Sequence, residues 1–241
     1  MSYIELESKQ IPRITIGTSP FMGAGQFGVI GSVWRAEFFQ NAEKMAQLMI
    51  HACNQGAKGV EVIPAGAMLD AAVLAKKRCP DFAIIGSTLW EHIGNYFHID
   101  DLVKVDSRII FLHGSISDNR ELTLIKPLLK KIRLAGKIPG IATHYPAVTI
   151  PFIHQNKLDC PAILLPFNLR GAFMGDQRAV EELVDSLDYC FVAMKSLAAG
   201  QIPPTKAFPY LGEHNISAVT VGMVSEEEIT QTVSEAKKVF F

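Results

Sequence analysis

Side chains able to act as acids, bases or hydrogen-bond donors recur in this sequence at the ends of short apolar runs. His113 and His144 each close such a run, and Glu61 lies within an earlier one. Two imidazoles and a carboxylate are a ligand set that divalent metals accept. A lone glutamate in an apolar run is more often a buried carboxyl satisfied by hydrogen bonds, and we therefore expect no metal at this place.

Lys195 is the charged residue of greatest chemical interest. It directly follows an apolar run that ends at Met194, so its amine should project from the end of a buried strand. An amine in apolar surroundings has a lowered pKa and can act as a Schiff-base nucleophile or a general base. The opposing interpretation is a structural or phosphate-facing lysine, and the sequence alone leaves both open.

The apolar runs themselves predict the fold. Eight of them occupy residues 14–18, 59–63, 82–86, 109–113, 140–144, 162–166, 191–195 and 218–222. Runs that are apolar on both faces and separated by amphipathic stretches are typical of buried parallel strands joined by helices. Eight such strands make a (β/α)8 barrel. We therefore predict an α/β fold, a single TIM-barrel domain over residues 1–241, with a short N-terminal hairpin within residues 3–14.

A barrel of this kind places its active site at the carboxyl ends of its strands. The residues at or near those ends are Ser19, Glu61, Ser87, His113, His144, Asn168, Lys195 and Gly222. The face to which Glu61 points stays open, because a register error of one residue would turn its side chain to the other side of the wall. Helices are predicted at 42–54, 68–78, 121–135, 147–155, 179–187 and 225–239. A further short helix is expected within the long connection 89–105.

The loop after the first predicted barrel strand is rich in glycine. Its spacing Gly23-x-Gly25-x-x-Gly28 matches a dinucleotide-binding fingerprint, but Pro20 precedes it and no clear helix begins within it, so the match is weak. The loop could hold a ligand or simply cover the mouth of the barrel. Phe21 within it could line a substrate pocket or fill the core.

Composition excludes several classes of partner. The 241 residues carry a net charge of -1, which argues against nucleic acid or an anionic membrane as the main partner. The first ten residues lack the apolar core of a signal peptide, and no apolar stretch approaches the length of a membrane span. The four cysteines are far apart, without metal-site spacing, which predicts free thiols in a reducing cytoplasm. A small-molecule ligand is the expected partner, and a homo-oligomer is possible.

Several segments together resemble the aldo-keto reductases, particularly their short bacterial and archaeal members. They are IPRITIGT at 11–18, LH at 112–113, GIATHYP at 140–146, LPFN at 165–168, AMKSLAAG at 193–200 and VGMVSEEE at 221–228. The segments follow the order of the family's strands and are distributed over most of the chain. The resemblance implies a barrel that binds a nicotinamide nucleotide, NADP(H), and a small carbonyl compound.

By this resemblance His113 would be catalytic and hold the substrate carbonyl. Lys195 is a catalytic candidate through the amine chemistry described above, whereas the family carries a lysine at this place without Schiff-base chemistry. Ser19, Asn168, Gly222 and Ser225 would bind the nucleotide, and Phe21, Glu61, Ser87 and His144 would line the substrate pocket. The segment Ser225 to Glu228 also has capping-box spacing, and its three glutamates oppose a 2′-phosphate. The cysteine-rich tail that carries an iron–sulfur cluster in some relatives is absent.

The sequence departs from the family at three catalytic positions. The second barrel strand lacks the usual aspartate, no tyrosine stands between Tyr3 and Tyr96, and the third strand ends without the lysine that would activate that tyrosine. The leading expectation is a nicotinamide-dependent oxidoreductase that acts on a small carbonyl compound. The alternatives are a non-redox enzyme of the lyase or aldolase type that uses Lys195, or a non-catalytic barrel that binds a small molecule.

Overall fold

The chain folds into a closed barrel preceded by a hairpin, as seen in a computed structural model that describes residues 1–89 and 97–241. The hairpin pairs β1 (Tyr3–Leu6) with β2 (Lys9–Pro12) in antiparallel register. Its two turn residues, Glu7 and Ser8, both take positive φ, which suits the right-handed twist of a tight hairpin. The predicted hairpin is thus confirmed.

Eight parallel strands close the barrel, and the predicted (β/α)8 fold is confirmed. The strands are β3 (Ile14–Gly17), β4 (Gly59–Val62), β5 (Ala83–Ser87), β6 (Ile109–Leu112), β7 (Ile138–Ala142), β8 (Ala162–Pro166), β9 (Cys190–Met194) and β10 (Ala218–Gly222). Each strand pairs with the next along the chain, and β10 pairs back with β3 to complete the ring. All eight predicted runs therefore became barrel strands.

Ten helices are present in the described part of the chain. They are α1 (Val29–Phe38), α2 (Ala42–Gln55), α3 (Met68–Arg78), α4 (Ile99–Lys104), α5 (Gly114–Ser117), α6 (Leu122–Leu134), α7 (Pro146–Gln155), α8 (Gln177–Ser186), α9 (Pro204–Gly212) and α10 (Glu226–Phe240). The six predicted helices are found within about two residues of their expected bounds. Helix α4 is the short helix expected in the 89–105 connection, of which residues 90–96 lie outside the described part.

Three helices, α1, α5 and α9, were not anticipated. Helix α1 begins directly after Gly28, and its face carries the exposed apolar side chains Val29, Ile30 and Val33, which obscure a helical pattern. Helix α5 has only four residues, and α9 contains Pro209 within its span. Short length and an internal proline both weaken the sequence signal of a helix.

Alternation along each strand separates two layers of core. Val60 and Val62 of β4 belong to the large cluster between the barrel and its helices, so Glu61 between them points to the barrel interior. The register question about Glu61 is thereby answered. Ile85, Phe111 and the other interior side chains form a separate cluster that also includes Ile11 of β2, and the hairpin therefore seals the amino-terminal end of the barrel.

The four cysteines are buried free thiols. No helix in residues 1–89 or 97–241 has both the length and the apolar character needed to cross a bilayer.

Candidate functional site

A cavity of about 470 Å³ opens at the carboxyl ends of the barrel strands. Its volume lies in the range of small-molecule sites. One wall is polar and is contributed by β4 to β7 and the residues that follow them, Glu61, Ser87, His113 and His144. The opposite side presents Leu164, Met194, Lys195, Thr220 and Gly222 from β8 to β10. Seven of the predicted site residues, Ser19, Glu61, Ser87, His113, His144, Lys195 and Gly222, thus surround one cavity.

Glu61 lies deep in the polar wall and is 4% exposed. The Ser87 hydroxyl donates a hydrogen bond of 2.6 Å to its Oε1, and no other side chain of the described residues hydrogen-bonds to this carboxyl. Burial raises the pKa of Glu61 to about 7, against the smaller lowering effect of the Ser87 hydrogen bond. The carboxyl can therefore both hold and release a proton near neutral pH.

His113 follows β6 and is oriented by its own backbone. The Ser115 N–H donates to His113 Nδ1 at 3.2 Å, and the Ser115 hydroxyl lies 2.9 Å from the same nitrogen. Because Nδ1 accepts, the proton of the neutral ring resides on Nε2. Burial, with a smaller contribution from His144, lowers the pKa of His113 to about 4, so the imidazole is neutral at physiological pH. His113 is therefore a fixed neutral donor on the wall of the cavity.

His144 is paired with Asp118, a residue that the sequence analysis missed. The His144 main-chain N–H donates to Asp118 Oδ2 at 2.8 Å, and His144 Nδ1 lies 3.6 Å from the same oxygen. The hydroxyls of Thr143 and Thr149 donate to the other carboxylate oxygen. Burial acts to raise the pKa of Asp118, but these hydrogen bonds outweigh it and the net shift is downward. Asp118 is therefore an ionised partner for His144.

Asp118 escaped the sequence analysis because it stands six residues beyond the end of β6, just past the unpredicted helix α5. The two rings of the site, His113 and His144, lie 5.1 Å apart in an edge-to-face arrangement. Buried threonines accept hydrogen bonds from the main chain at or next to each histidine. Thr88 Oγ1 accepts the His113 N–H at 3.1 Å, and Thr143 Oγ1 accepts the Tyr145 N–H at 3.0 Å.

Lys195 lies at the rim, opposite the polar wall, in a left-handed backbone conformation with φ of 56°. Burial lowers its pKa, with a smaller opposing effect of Asp118. Its ammonium lies 4.6 Å from the centre of the Phe173 ring. No carboxylate in the described ranges lies within ion-pair distance of it, so the rim of the cavity carries a positive charge available to an anionic ligand group.

Two of the predicted site residues are placed behind the cavity surface. Asn168 is buried, its amide donates to Ala172 O at 2.8 Å, and its Oδ1 accepts the N–H groups of Arg170 and Ala172. It thus shapes the loop that carries Phe173. Phe21 is buried against Phe38, with ring centres 5.0 Å apart. Neither side chain lines the cavity, whereas Met22, Phe27 and Trp34 from the same first loop and α1 do.

Ser225 caps α10. Its hydroxyl accepts the Glu228 N–H at 3.2 Å, which is the first half of the predicted capping box, whereas the Glu228 carboxylate accepts the N–H of Val224, one residue before the cap, at 2.8 Å. The Glu228 carboxylate thus lies close to the start of this helix, where its negative charge disfavours a phosphate. Within residues 1–89 and 97–241 no three His, Cys, Asp or Glu side chains are grouped so that they could hold a metal ion.

Two hydroxyls on the β9 and β10 side of the cavity are open to a polar ligand group. Thr220 Oγ1, on the cavity side of β10, and Ser196 Oγ are buried without a hydrogen-bond partner among the described residues. Such hydroxyls could satisfy a carboxamide. Gly222 permits the first loop to approach closely, because a Cβ there would lie 2.5 Å from Pro20 Cγ. The glutamates at the start of α10 disfavour an additional phosphate there.

Comparison with known proteins supports the fold. No family model matches the sequence, and no curated protein matches it. An aldo-keto reductase of Pseudomonas aeruginosa matches with a TM-score of 0.69 and 15% identity, over 97% of this chain and 93% of that one. A thermostable aldo-keto reductase solved with the inhibitor epalrestat matches with a TM-score of 0.66 and 13% identity, over 100% and 99%.

A third structure carries a nucleotide. It is an aspartate-to-alanine variant of the protein Gox0644 in complex with NADPH, with a TM-score of 0.68 and 10% identity, over 97% of this chain and 87% of that one. At these identities the likeness is one of fold. The chain therefore has the barrel fold of the aldo-keto reductases over nearly its whole length, and the resemblance noted in the sequence is confirmed at that level.

Proposed function

We propose that this protein is an oxidoreductase that reduces a small carbonyl compound with a nicotinamide nucleotide. The observation that carries the proposal is His113, a neutral imidazole whose Nδ1 is engaged by Ser115 and whose Nε2–H is the remaining donor at the cavity. Such a donor polarises a carbonyl oxygen and stabilises the negative charge that develops on it during reduction. The shared fold and the NADPH complex of a structural neighbour support the same class of reaction.

The nucleotide, when bound, would supply the hydride. Thr220, Ser196 and Gly222 would hold it on the β9 and β10 side, with Ser19 at the mouth. Asn168 would act through the loop that it shapes, and Ser225 through the start of α10. Because the glutamates of that helix oppose a further phosphate, we expect NADH to bind at least as well as NADPH.

A protonated group must complete the reduction, since the new hydroxyl needs a proton and the family's tyrosine is absent. Glu61 lies in the same cavity wall, and burial raises its pKa to about 7. A carboxyl of this kind retains a protonated fraction at neutral pH and matches the requirement for a general acid. His144, which pairs with Asp118, and Ser87 would line the polar side of the substrate pocket.

Titration with NADH and NADPH tests this proposal. Trp34 lines the cavity, so its fluorescence should be quenched by a bound nicotinamide ring, and Trp34→Phe should remove most of that signal while calorimetry still detects binding. Micromolar affinity followed by turnover of at least one small aldehyde or ketone would support the oxidoreductase. Failure of both nucleotides to bind at millimolar concentration would refute it.

A lyase or aldolase that uses Lys195 is the second candidate, favoured by the lowered pKa of its buried amine and the absence of a paired carboxylate among the described residues. Borohydride reduction in the presence of a carbonyl compound should then fix the substrate to the lysine as a secondary amine, with a mass gain equal to the substrate less one oxygen atom, and Lys195→Met should prevent this. If neither nucleotide binding nor trapping is found, the non-catalytic binding barrel becomes the better interpretation.

The proposal includes a reducing compartment, the cytoplasm, because all four thiols are free. Sedimentation of the purified protein would determine whether it is a monomer or a homo-oligomer.

A further inference from the structure

The two groups that the proposed reduction would use in the polar wall, Glu61 and His113, are also the pair that a second reaction requires. Glu61 is a buried carboxyl without a cationic partner among the described residues, and Ser87 is the one side chain there that hydrogen-bonds to it. Two strands along the same wall, His113 offers a neutral N–H donor. A buried carboxyl without a cation is unfavourable for stability, and its place in a ligand-sized cavity points to a role in chemistry.

We propose that this site also catalyses proton abstraction from the carbon next to a carbonyl group, with Glu61 as the base and His113 as the donor to the carbonyl oxygen. This activity needs no nucleotide. It rests on the carbonyl-binding role of His113 proposed above, but not on the oxidoreductase reaction.

The spacing of the strands suits this division of roles. Glu61 is on β4, Ser87 on β5, and His113 directly follows β6. Glu61 pairs with Ile85, and the register between β5 and β6 extends that row to Ile109, so His113 stands four residues further toward the cavity mouth. Two strand spacings of about 4.8 Å and four residues of about 3.3 Å place the two backbones roughly 16 Å apart, and the two side chains enter the cavity at different depths. Both side chains line the same cavity. A small substrate between them can thus present its carbonyl oxygen to one and the adjacent carbon to the other.

The step balances without any further reagent. The Glu61 carboxylate takes the proton from the adjacent carbon, the electron pair of that C–H bond forms a carbon–carbon double bond, and the carbonyl π pair moves to oxygen. The resulting enolate accepts a hydrogen bond from His113 Nε2–H. Return of the proton from the Glu61 carboxyl to the same carbon restores the carbonyl compound. With an α-hydroxycarbonyl, the hydroxyl proton can pass to the former carbonyl oxygen, and return of the Glu61 proton to the former carbonyl carbon then gives the isomeric carbonyl compound.

Lys195 indicates the class of substrate. Its ammonium lies at the rim of the cavity, opposite the polar wall and without a carboxylate partner within the described ranges. A cation so placed attracts substrates that carry a carboxylate or another anionic group. Small 2-oxo acids with a hydrogen on the adjacent carbon therefore fit the site, and a neutral hydroxyketone provides the comparison without the anionic group.

Hydrogen exchange in D2O tests the inference directly. Pyruvate, 2-oxobutanoate and dihydroxyacetone would be incubated with the protein at neutral pD, without nucleotide, and loss of the adjacent C–H signal followed by proton NMR. We expect at least one probe to exchange tenfold or more faster than in buffer. Exchange should fall to the buffer rate in Glu61→Gln and remain in Glu213→Gln, a matched substitution on the outer surface.

Ser87→Ala provides a second variant that keeps the base in place. Because the Ser87 hydrogen bond lowers the pKa of Glu61, its loss should move the midpoint of the exchange-against-pH profile upward, whereas a purely structural change would lower the rate at every pH. Absence of exchange with all three probes, or equal rates in the wild type and Glu61→Gln, would overturn the inference. Exchange without nucleotide binding would support proton abstraction and refute the oxidoreductase reaction. Nucleotide binding without exchange would support the oxidoreductase reaction and refute proton abstraction.

Discussion

The main-chain N–H of His144 donates a 2.8 Å hydrogen bond to Oδ2 of Asp118, and the imidazole of His144 lies beside the same oxygen. This close arrangement depends on the residue that follows His113. A Cβ on Gly114 would lie 2.3 Å from His144 Nδ1 and 2.8 Å from Asp118 Oδ2. Gly114 therefore makes room for the pair, although its φ is not in the left-handed region.

Gly114→Ala should displace the His144 ring or the Asp118 carboxylate. Overpacking of this kind lowers the free energy of unfolding by about 1–3 kcal/mol, measured by chemical denaturation. Gly25→Ala is the matched control, because a Cβ at Gly25 meets nothing within 4 Å, and its effect should stay below about 0.5 kcal/mol. Equal effects of the two substitutions would contradict the role assigned to Gly114.

Glu61→Gln should change how stability depends on pH. In the folded state the pKa of Glu61 is raised from 4.5 to about 7, so between these values the folded protein holds a proton that the unfolded chain has released. The wild type therefore loses stability as pH rises through this window, by about 3 kcal/mol from this group. Glutamine does not titrate, so the variant should gain about this amount relative to the wild type between pH 4.5 and 7.

Urea unfolding at several pH values measures that difference, with Glu213→Gln as the surface control. Below pH 4.5 the difference between Glu61→Gln and the wild type should be constant, because the carboxyl is then protonated in both states. A difference that does not change from pH 4.5 to 8 would show that the carboxyl is not held protonated by burial.

The substitution His113→Asn should lower the turnover of the carbonyl compound without weakening the binding of the nucleotide. The asparagine oxygen can still accept the Ser115 N–H as a helix cap, but the Nε2–H donor is lost. Turnover of a reducible carbonyl compound should fall about 10²–10³-fold, as on loss of an oxyanion donor, while nucleotide affinity stays within about twofold. His154→Asn on the outer helix α7 is the control. A parallel loss of nucleotide affinity would mean that His113 supports the cofactor rather than the carbonyl.

Asn168→Ala should act on the loop after β8 rather than on ligand contacts. Three hydrogen bonds of this side chain hold that loop, and their removal leaves partly buried main-chain groups without these partners, at roughly 1 kcal/mol of stability. Because the loop carries Phe173, the Lys195 amine should become more exposed. Its pKa should then rise toward the ordinary value, so that less of the amine is neutral and its reaction with an amine-specific reagent at neutral pH is slower. Unchanged stability would contradict the structural role.

The sequence was sufficient for the architecture because the apolar runs are long and regular. A strand buried on both faces is apolar along most of its length, so each run could be recognised as a strand from its own residues, without reference to the strands beside it. Helix α1 gave no such signal, since the exposed side chains Val29 and Val33 interrupt the polar face that a surface helix usually presents.

The candidate site was predictable where a residue's position on a strand determines its place. His113 and His144 follow barrel strands and line the cavity as the topology requires. Asp118 was not predictable, because its contact with His144 is formed through the short helix α5 and a neighbouring loop. Asn168 follows its strand as expected, but its amide satisfies the turn of its own loop, a preference that asparagine shows in many turns.

The hairpin that places Ile11 among the interior side chains closes the amino-terminal end of the barrel, so ligands reach the cavity from the carboxyl ends of the strands. A ligand bound on the mouth side of this cavity would block the release of one bound deeper. A reaction that needs both a nucleotide and a carbonyl compound should then follow a compulsory order, with the deeper ligand released last. In such an order the product that leaves last competes with the ligand that binds first. Product-inhibition kinetics would show this competition.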